Sequence, residues 1–137
     1  MRKKEQRLWD RMRRALNGRV RLERIENIVA NGTADVFALA GGVVTPLELK
    51  SVDAFPARAT TRVLGAEGLS RDQKNWHSDW QRWGGRSFVV ISVGSHELFV
   101  ISGGLCDAVN EMPAHDLAAF AMARDFDALA ALLGEKR

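Results

Sequence analysis

Residues 32–50 read GTADVFALAGGVVTPLELK, two apolar segments that meet at Gly41-Gly42. A Gly-Gly pair between apolar segments is typical of a two-residue hairpin, because both turn positions need positive φ angles. The pattern therefore predicts two antiparallel strands, over about 34–39 and 43–49. Asn31-Gly32 predicts a similar turn before them, so that a strand over about 20–30 would complete a three-stranded meander.

The flanking segments alternate between helical and strand-like patterns. Residues 3–16 place apolar side chains at helical spacing with arginines between them, which predicts an amphipathic helix ended by Asn17-Gly18. Ser70 and Gln73 form a possible capping box for a second helix, whose stripe of tryptophans is expected to face the sheet (Trp76, Trp80 and Trp83). Strands are predicted over about 87–93 and 96–102, and helices over about 114–123 and 126–133.

The predicted order is therefore α-β-β-β-α-β-β-α, an α/β sandwich with a mixed central sheet of about five strands and helices packed on it. The length of 137 residues fits one domain, with the first helix at 3–16, a core at about 20–102 and C-terminal helices at about 114–133. No apolar run is long enough for a membrane span, and no secretory signal is expected at the N-terminus. The single cysteine, Cys106, fits a reducing, cytoplasmic location.

Three charged residues of the meander are the candidates for chemistry. Glu48 and Lys50 point to the same face of a strand, because side chains alternate with period two, and Asp35 lies on the neighbouring strand. Charged groups on a covered strand are costly unless they are paired or bind a metal. Two close carboxylates with no Cys/His cluster favour Mg²⁺, with Mn²⁺ as a substitute, and no organic cofactor is expected.

In this order and spacing the residues resemble the PD-(D/E)xK nuclease superfamily, with Asp35 followed by Glu48-Leu49-Lys50 and with Ala34 where the motif has proline. The sequence is most similar to small phage nucleases of the VRR-NUC kind and to Holliday-junction resolvases. The further matching elements are Leu8-Trp9, Arg24 to Asn27, Gly32 to Val36, Gln73 and Gly84 to Arg86.

The resemblance implies a restriction-endonuclease-like fold and a Mg²⁺-dependent endodeoxyribonuclease. Asp35, Glu48 and the backbone carbonyl of Leu49 would bind the metal, and Lys50 and Gln73 would complete the catalytic group. A further glutamate ligand is implied, for which Glu5 and Glu26 remain alternatives; a tight Asn31-Gly32 turn would pair Glu26 with Phe37, on the Asp35 face. The three histidines are not expected to bind metal.

The charge distribution indicates a polyanionic partner. Residues 1–24 hold ten Lys or Arg and only three Asp or Glu, although the net charge of the chain is +3. The expected DNA contacts come from this helix and from the long segment over 52–69, which is interpreted as a phosphate-contacting or lid loop (Arg7, Arg11, Arg14, Arg58 and Arg62). A solvated, purely solubilising helix face is the alternative.

A branched or Holliday-junction substrate, and with it a homodimer, follows from the resemblance alone. The C-terminal helices are the candidate dimer interface, and the expected location is the cytoplasm of a bacterial or phage-infected cell. The alternative function is a nucleic-acid-binding or phage assembly module that keeps the fold without catalysis.

Overall fold

A computed structural model of the chain describes residues 2–25 and 32–134. Its helices and strands, in chain order, are α1 Lys3–Ala15, β1 Arg21–Arg24, β2 Val36–Ala40, β3 Val43–Val52, α2 Arg71–Arg82, β4 Phe88–Val93, β5 Glu97–Ser102, α3 Ala114–Phe120 and α4 Phe126–Gly134. Three short 3₁₀ turns lie at Gly65–Glu67, Gly103–Leu105 and Val109–Glu111. The predicted α/β class, element order and five-stranded sheet are confirmed.

The sheet has the strand order β1-β2-β3-β4-β5, and β3 and β4 are its one parallel pair among the described strands. Helix α2 connects these two strands, because a parallel pair needs a crossover rather than a hairpin. The predicted hairpin between β2 and β3 is confirmed: Gly41 and Gly42 both have positive φ, and Ala40 pairs with Val43.

The register between β1 and β2 differs by three residues from the one that a tight Asn31-Gly32 turn would give. Phe37 pairs with Glu23 rather than with Glu26, and Arg24 pairs with Val36. The described part of β1 also ends at Arg24, earlier than the predicted strand. Glu26 and Asn31 lie outside the described residues.

Two apolar clusters cover the two faces of the sheet. Helices α1 and α4 bury Leu47 and Leu49 of β3 on one face, whereas α3 and the segment before α2 pack with Val52 on the other. Because side chains alternate along β3, Glu48 and Lys50 point to the second face, towards α2. The predicted common face of these two residues is thereby confirmed.

The prediction that the α2 tryptophans face the sheet is confirmed for Trp76 and Trp80, which lie beside Phe37 of β2, and is wrong for Trp83. Trp76 and Trp80 are half-buried and stack on each other beside Phe37, and Trp83 is 81% exposed. The fully buried side chain of α2 is His77. A polar residue, rather than a tryptophan, is therefore the most deeply buried residue of this helix. The amphipathic spacing was present, but the buried face is narrower than the tryptophan stripe.

The long segment before α2 is packed rather than open along its whole length. Val63 and Leu64 are buried, and the Val63 N–H donates to the Met112 carbonyl at 3.0 Å. The part over 53–62 is mostly exposed and leaves directly from the end of β3. Within the described residues, no helix combines the length and the apolar character that crossing a membrane requires.

Candidate active site

The hairpin brings the two candidate carboxylates together. Asp35 lies one residue before β2, and Val36 pairs with Leu47, so the next step of the register sets Asp35 beside Glu48. The Asp35 Oδ2 atom accepts a hydrogen bond of 2.8 Å from the Leu49 N–H. Glu48 is fully buried and Asp35 is half-buried, so the pair is reached from solvent on the Asp35 side.

Both carboxyl groups bind protons more strongly than usual. Burial, together with the negative charge of Glu48, raises the pKa of Asp35 to about 7. Burial also raises the pKa of Glu48 to about 7, although a hydrogen bond with Asp35 and the Lys50 ammonium act in the opposite direction. The two groups share a site and therefore titrate as a coupled pair.

Helix α2 supplies an amide that joins Glu48 to Lys50. The Gln73 side chain donates to Glu48 Oε2 at 3.2 Å, and its Oε1 atom accepts from Lys50 Nζ at 3.1 Å. Gln73 also completes the predicted capping box, with Ser70 N–H donating to Gln73 Oε1 at 2.9 Å. The capping role and the place beside the site are thus compatible, because one amide oxygen accepts from both donors.

Gly32 fixes the approach of the Asp35 segment to α2. Its φ is +81°, and a Cβ atom there would lie 2.2 Å from the Asp72 carbonyl oxygen. Only glycine fits so close to the helix backbone at this φ. The Gly32 position therefore lets Asp35 and Gln73 belong to one site.

His77 also belongs to the site, although none of the histidines was expected to take part in it. Its ring is fully buried, with Nε2 3.1 Å from Glu48 Oε1 and Nδ1 2.7 Å from Ser87 Oγ. Burial lowers the pKa of His77 to about 4, so the ring is neutral near pH 7. The geometry fits an Nε2–H that donates to Glu48 and an Nδ1 that accepts from the Ser87 hydroxyl. Its spacing of four from Gln73 was the available signal, since such residues share a helix face.

Ser87, His77 and Glu48 are hydrogen-bonded in the same order as the serine, histidine and carboxylate of a catalytic triad. Unlike a catalytic triad, they are not accessible to a substrate. Ser87, His77 and Glu48 are all fully buried, so no substrate can reach the Ser87 hydroxyl. A nucleophilic serine must face its substrate. His77 and Gln73 instead hold the two oxygens of the Glu48 carboxylate in place.

The donor set suits a hard divalent cation. Asp35 and Glu48 present carboxylate oxygens, and ionising both without a cation is unfavourable. Glu5 of α1 is 6% exposed, its Oε2 atom has no hydrogen-bond partner among the described residues, and its charge contributes to the raised pKa of Glu48. Its Oε1 atom lies 3.3 Å from Arg2 Nε.

The described residues hold no group of three or more His, Cys, Asp or Glu side chains close enough to bind a metal ion. A cation at Asp35 and Glu48 would therefore complete its coordination with backbone carbonyl groups, such as that of Leu49, and with water. Glu5 therefore does not lie close enough to Asp35 and Glu48 to act as a third carboxylate ligand in this structure, and the alternative, Glu26, lies outside the described residues.

The predicted DNA-contacting arginines divide into two groups. Arg62 forms an ion pair with Glu111 at 2.8 Å, which occupies its guanidinium group, and Arg58 lies in the exposed part of its segment. Arg7, Arg11 and Arg14 lie along one side of α1 and line a cavity of about 440 Å³.

No protein-family model and no curated protein matches the chain. Among solved structures it is similar to Hjc, a Holliday junction resolvase from the archaeal hyperthermophile Archaeoglobus fulgidus. The sequence identity is 14%, the match covers 74% of this chain and 76% of that chain, and the TM-score is 0.49. The side chains of the site, rather than this overlap, carry the functional proposal.

His77→Ala is expected to weaken Mg²⁺ binding by about 10–100-fold, because the Glu48 carboxylate loses a hydrogen bond that orients it. The empty space left by the ring should also lower the free energy of unfolding by about 2–4 kcal/mol. His77→Gln retains an amide donor and should recover most of the affinity. Calorimetric titration with Mg²⁺ and thermal unfolding measure the two effects.

The exposed His96 offers the matched control, since His96→Ala should change neither quantity. Equal Mg²⁺ affinity in His77→Ala and wild type would contradict the orienting role, even if the variant were less stable.

Proposed function

We propose that the protein is a metal-dependent nuclease that hydrolyses phosphodiester bonds of DNA, with its active centre at Asp35, Glu48 and Lys50. The observation that carries the proposal is that Asp35, just before β2, converges with Glu48 and Lys50 of the buried strand β3, and that both carboxyl groups have a pKa of about 7. Such an arrangement costs folding free energy, so a catalytic or metal-binding purpose explains it better than stability does.

Each residue has a distinct part in the proposed chemistry. Asp35 and Glu48 would hold Mg²⁺ or Mn²⁺, which when bound lowers the pKa of water and offsets charge on the phosphate. Lys50 is held by Gln73 on the same side of the sheet as Glu48, where its ammonium group can stabilise negative charge on a phosphate oxygen. Gln73 and His77 keep the Glu48 carboxylate fixed, so that it need not reorganise when substrate binds.

The finer parts of the proposal concern substrate and assembly. An endonucleolytic reaction on branched DNA, such as a four-way junction, is proposed from the sequence resemblance. Symmetric cleavage of a junction needs two active sites, which implies a homodimer. Phe120 and Met122, at and just after the end of α3, are 52% and 54% exposed and give the C-terminal region an apolar surface for it.

Cleavage of labelled DNA tests the proposal directly. We expect the wild-type protein to cut at least one of four substrates, a linear duplex, a single strand, a flap and a four-way junction, with Mg²⁺ and not with EDTA. Preference for the junction would support the branched-DNA substrate, and equal cutting of the linear duplex would contradict it.

Binding of these DNAs without cleavage under Mg²⁺ or Mn²⁺ would overturn the enzymatic proposal. In that case a nucleic-acid-binding or assembly module would be the better account, and DNA binding should be indifferent to Asp35→Ala. Each reaction needs a protein preparation of Lys50→Ala made in parallel, which detects any contaminating nuclease.

A further inference from the structure

A second polar site lies on the opposite face of the sheet from Glu48 and Lys50. Its walls are one side of α1, the carboxyl ends of β3 and β4, and the turn that follows β4, and its volume is about 440 Å³. We call this cavity the α1 cleft. Crevices at the carboxyl ends of parallel strands are common ligand sites in α/β sheets, and β3 and β4 are parallel.

The α1 cleft carries an excess of positive charge. Four cationic side chains line it, against two acidic ones (Lys4, Arg7, Arg11, Arg14, Asp10 and Asp53). Both acids already have partners: Asp53 pairs with Lys4 at 3.3 Å, and Asp10 accepts from Gln6 at 3.2 Å. Arg7 and Arg14 are exposed and form no ion pair with any residue in the described part of the chain. The cleft therefore has the charge of an anion-binding site whose anion comes from outside the described part of the chain.

A buried serine holds one arginine in the cleft. Arg11 donates to Ser92 Oγ at 2.9 Å, and the Ser92 hydroxyl donates to the Gly94 carbonyl at 2.8 Å. Ser92 is 1% exposed and lies on strand β4, so the sheet holds the hydroxyl that contacts Arg11 in place. In the parallel register Ser51 pairs with Ser92, which places a second hydroxyl on the floor beside it. The guanidinium of Arg11 is thus preorganised, as an anion site requires.

The cleft begins one residue beyond the proposed catalytic lysine. Lys50 faces α2 and Ser51 faces α1, and their Cα atoms are about 3.8 Å apart because they are consecutive. A polyanion that crosses the end of β3 could therefore contact both faces of the strand. An isolated small anion would need only one of them.

We propose that the α1 cleft binds a backbone phosphate of the same nucleic acid whose cleaved phosphate lies at Lys50. The nucleic acid then passes around the carboxyl end of β3, with the cleaved phosphate at Lys50 and another phosphate of its backbone at Arg7, Arg11 and Arg14. Contacts of this kind carry affinity and position the strand, and they read no base sequence. The inference rests on the proposed nuclease function, because it names where the substrate of that site lies.

The salt dependence of DNA binding tests the α1 cleft without requiring cleavage. Wild type and the double variant Arg7→Ala/Arg14→Ala are titrated with labelled single-stranded and duplex DNA in EDTA at several salt concentrations. Both arginines are exposed, so the fold should tolerate the change. The slope of log affinity against log salt concentration should fall by about two, and low-salt affinity by about tenfold or more. Arg11→Ala should act in the same direction.

Arg13→Ala is the matched control, since Arg13 lies on the same helix, pairs with Asp10 at 3.6 Å and does not line the α1 cleft. It should change the slope by less than half as much as Arg7→Ala/Arg14→Ala does. Equal slopes for the double variant and wild type would overturn the inference. A loss no greater than twice that of Arg13→Ala would also overturn it, because the double variant removes two charges and such a loss would show only a general effect of charge.

Inorganic phosphate separates a free anion from a nucleic-acid backbone. If phosphate raises the thermal stability of wild type but not of the double variant, while both bind DNA equally, the cleft holds a small anion and the inference is wrong. DNA cleavage, rather than DNA binding, is the measurement that tests the nuclease proposal. A wild type that binds DNA through the cleft but never cleaves it would remove the catalytic proposal and leave the phosphate site standing.

Discussion

Lys50→Ala is expected to lower the rate of DNA cleavage by about 10²–10³-fold or more, the largest effect among the variants that leave both carboxylates in place. Lys50 is 7% exposed, so its ammonium group acts where water screens charge poorly. The loss should fall mainly on kcat rather than on KM, because the charge that Lys50 stabilises develops in the transition state. Single-turnover cleavage of labelled DNA measures it.

Lys74→Ala is the control for Lys50→Ala. Lys74 follows Gln73 on α2 and forms no ion pair with the described residues, so its removal takes away one positive charge near the site without touching Glu48. We expect its cleavage rate to stay within a few-fold of wild type. A Lys50→Ala protein that cleaves as fast as Lys74→Ala would remove Lys50 from the mechanism.

Glu48→Gln is expected to have opposite effects on stability and on activity. Burial raises the pKa of Glu48 to about 7, so the folded protein binds this proton more tightly than the unfolded chain does. Stability is therefore lost as the pH rises from the ordinary glutamate range through about 7 in the absence of metal. The glutamine cannot ionise, and the free energy of unfolding at about pH 8 should increase by up to about 3 kcal/mol.

The same substitution should abolish cleavage and prevent Mg²⁺ from stabilising the protein, because one of the two anionic ligands is gone. The glutamine can keep both neighbours: His77 accepts its amide N–H after a change of tautomer, and Gln73 still donates to its oxygen. Denaturant unfolding of both metal-free proteins between about pH 5 and pH 8 measures the difference. The titration of His77 is common to both proteins and largely cancels.

A stability difference that stays constant across this pH range would contradict the raised pKa of Glu48. Thr45→Val offers a comparison on the same buried strand, since it changes a polar side chain that does not titrate. It should shift stability by the same amount at every pH, whereas Glu48→Gln should not.

The fold and the three central residues follow from local rules that the sequence displays openly. Gly41-Gly42 fixes the β2–β3 hairpin, and strand alternation then places Glu48 and Lys50 on one face and Asp35 beside them. The capping box at Ser70 fixes the start of α2 and therefore the position of Gln73. Each inference needed only neighbours close in sequence.

The predictions that failed depend on contacts between distant segments. Trp83 shares the helical spacing of Trp76 and Trp80 but is exposed, whereas the fully buried position of α2 is taken by His77, whose two ring nitrogens are satisfied by Glu48 and Ser87. A polar residue becomes the better core residue once such partners exist, and periodicity cannot reveal them. The sequence left the β1–β2 register open, because it depended on whether Asn31-Gly32 forms a tight turn; the observed pairing of Arg24 with Val36 differs by three residues from the tight-turn register.

The α1 cleft is a third feature that could not be predicted from the sequence. The basic side chains of α1 were evident, but a solvated face and a binding face have the same pattern. The difference lies in Ser92, which is 81 residues away from Arg11 along the chain and fixes its guanidinium group. Parallel pairing of β3 with β4 brings this serine to the floor of the cleft, and nothing local to α1 indicates it.

The dependence of DNA cleavage on Mg²⁺ concentration, measured for wild type and for Asp35→Asn, tests the central claim most directly. Asparagine can still accept the Leu49 N–H, so the hairpin should survive while the anionic ligand is lost. We expect wild-type cleavage to rise with Mg²⁺ and to saturate, and the Asp35→Asn protein to remain inactive at every concentration. Cleavage that persists in EDTA, or equal cleavage by the two proteins, would contradict a metal-dependent site at Asp35 and Glu48.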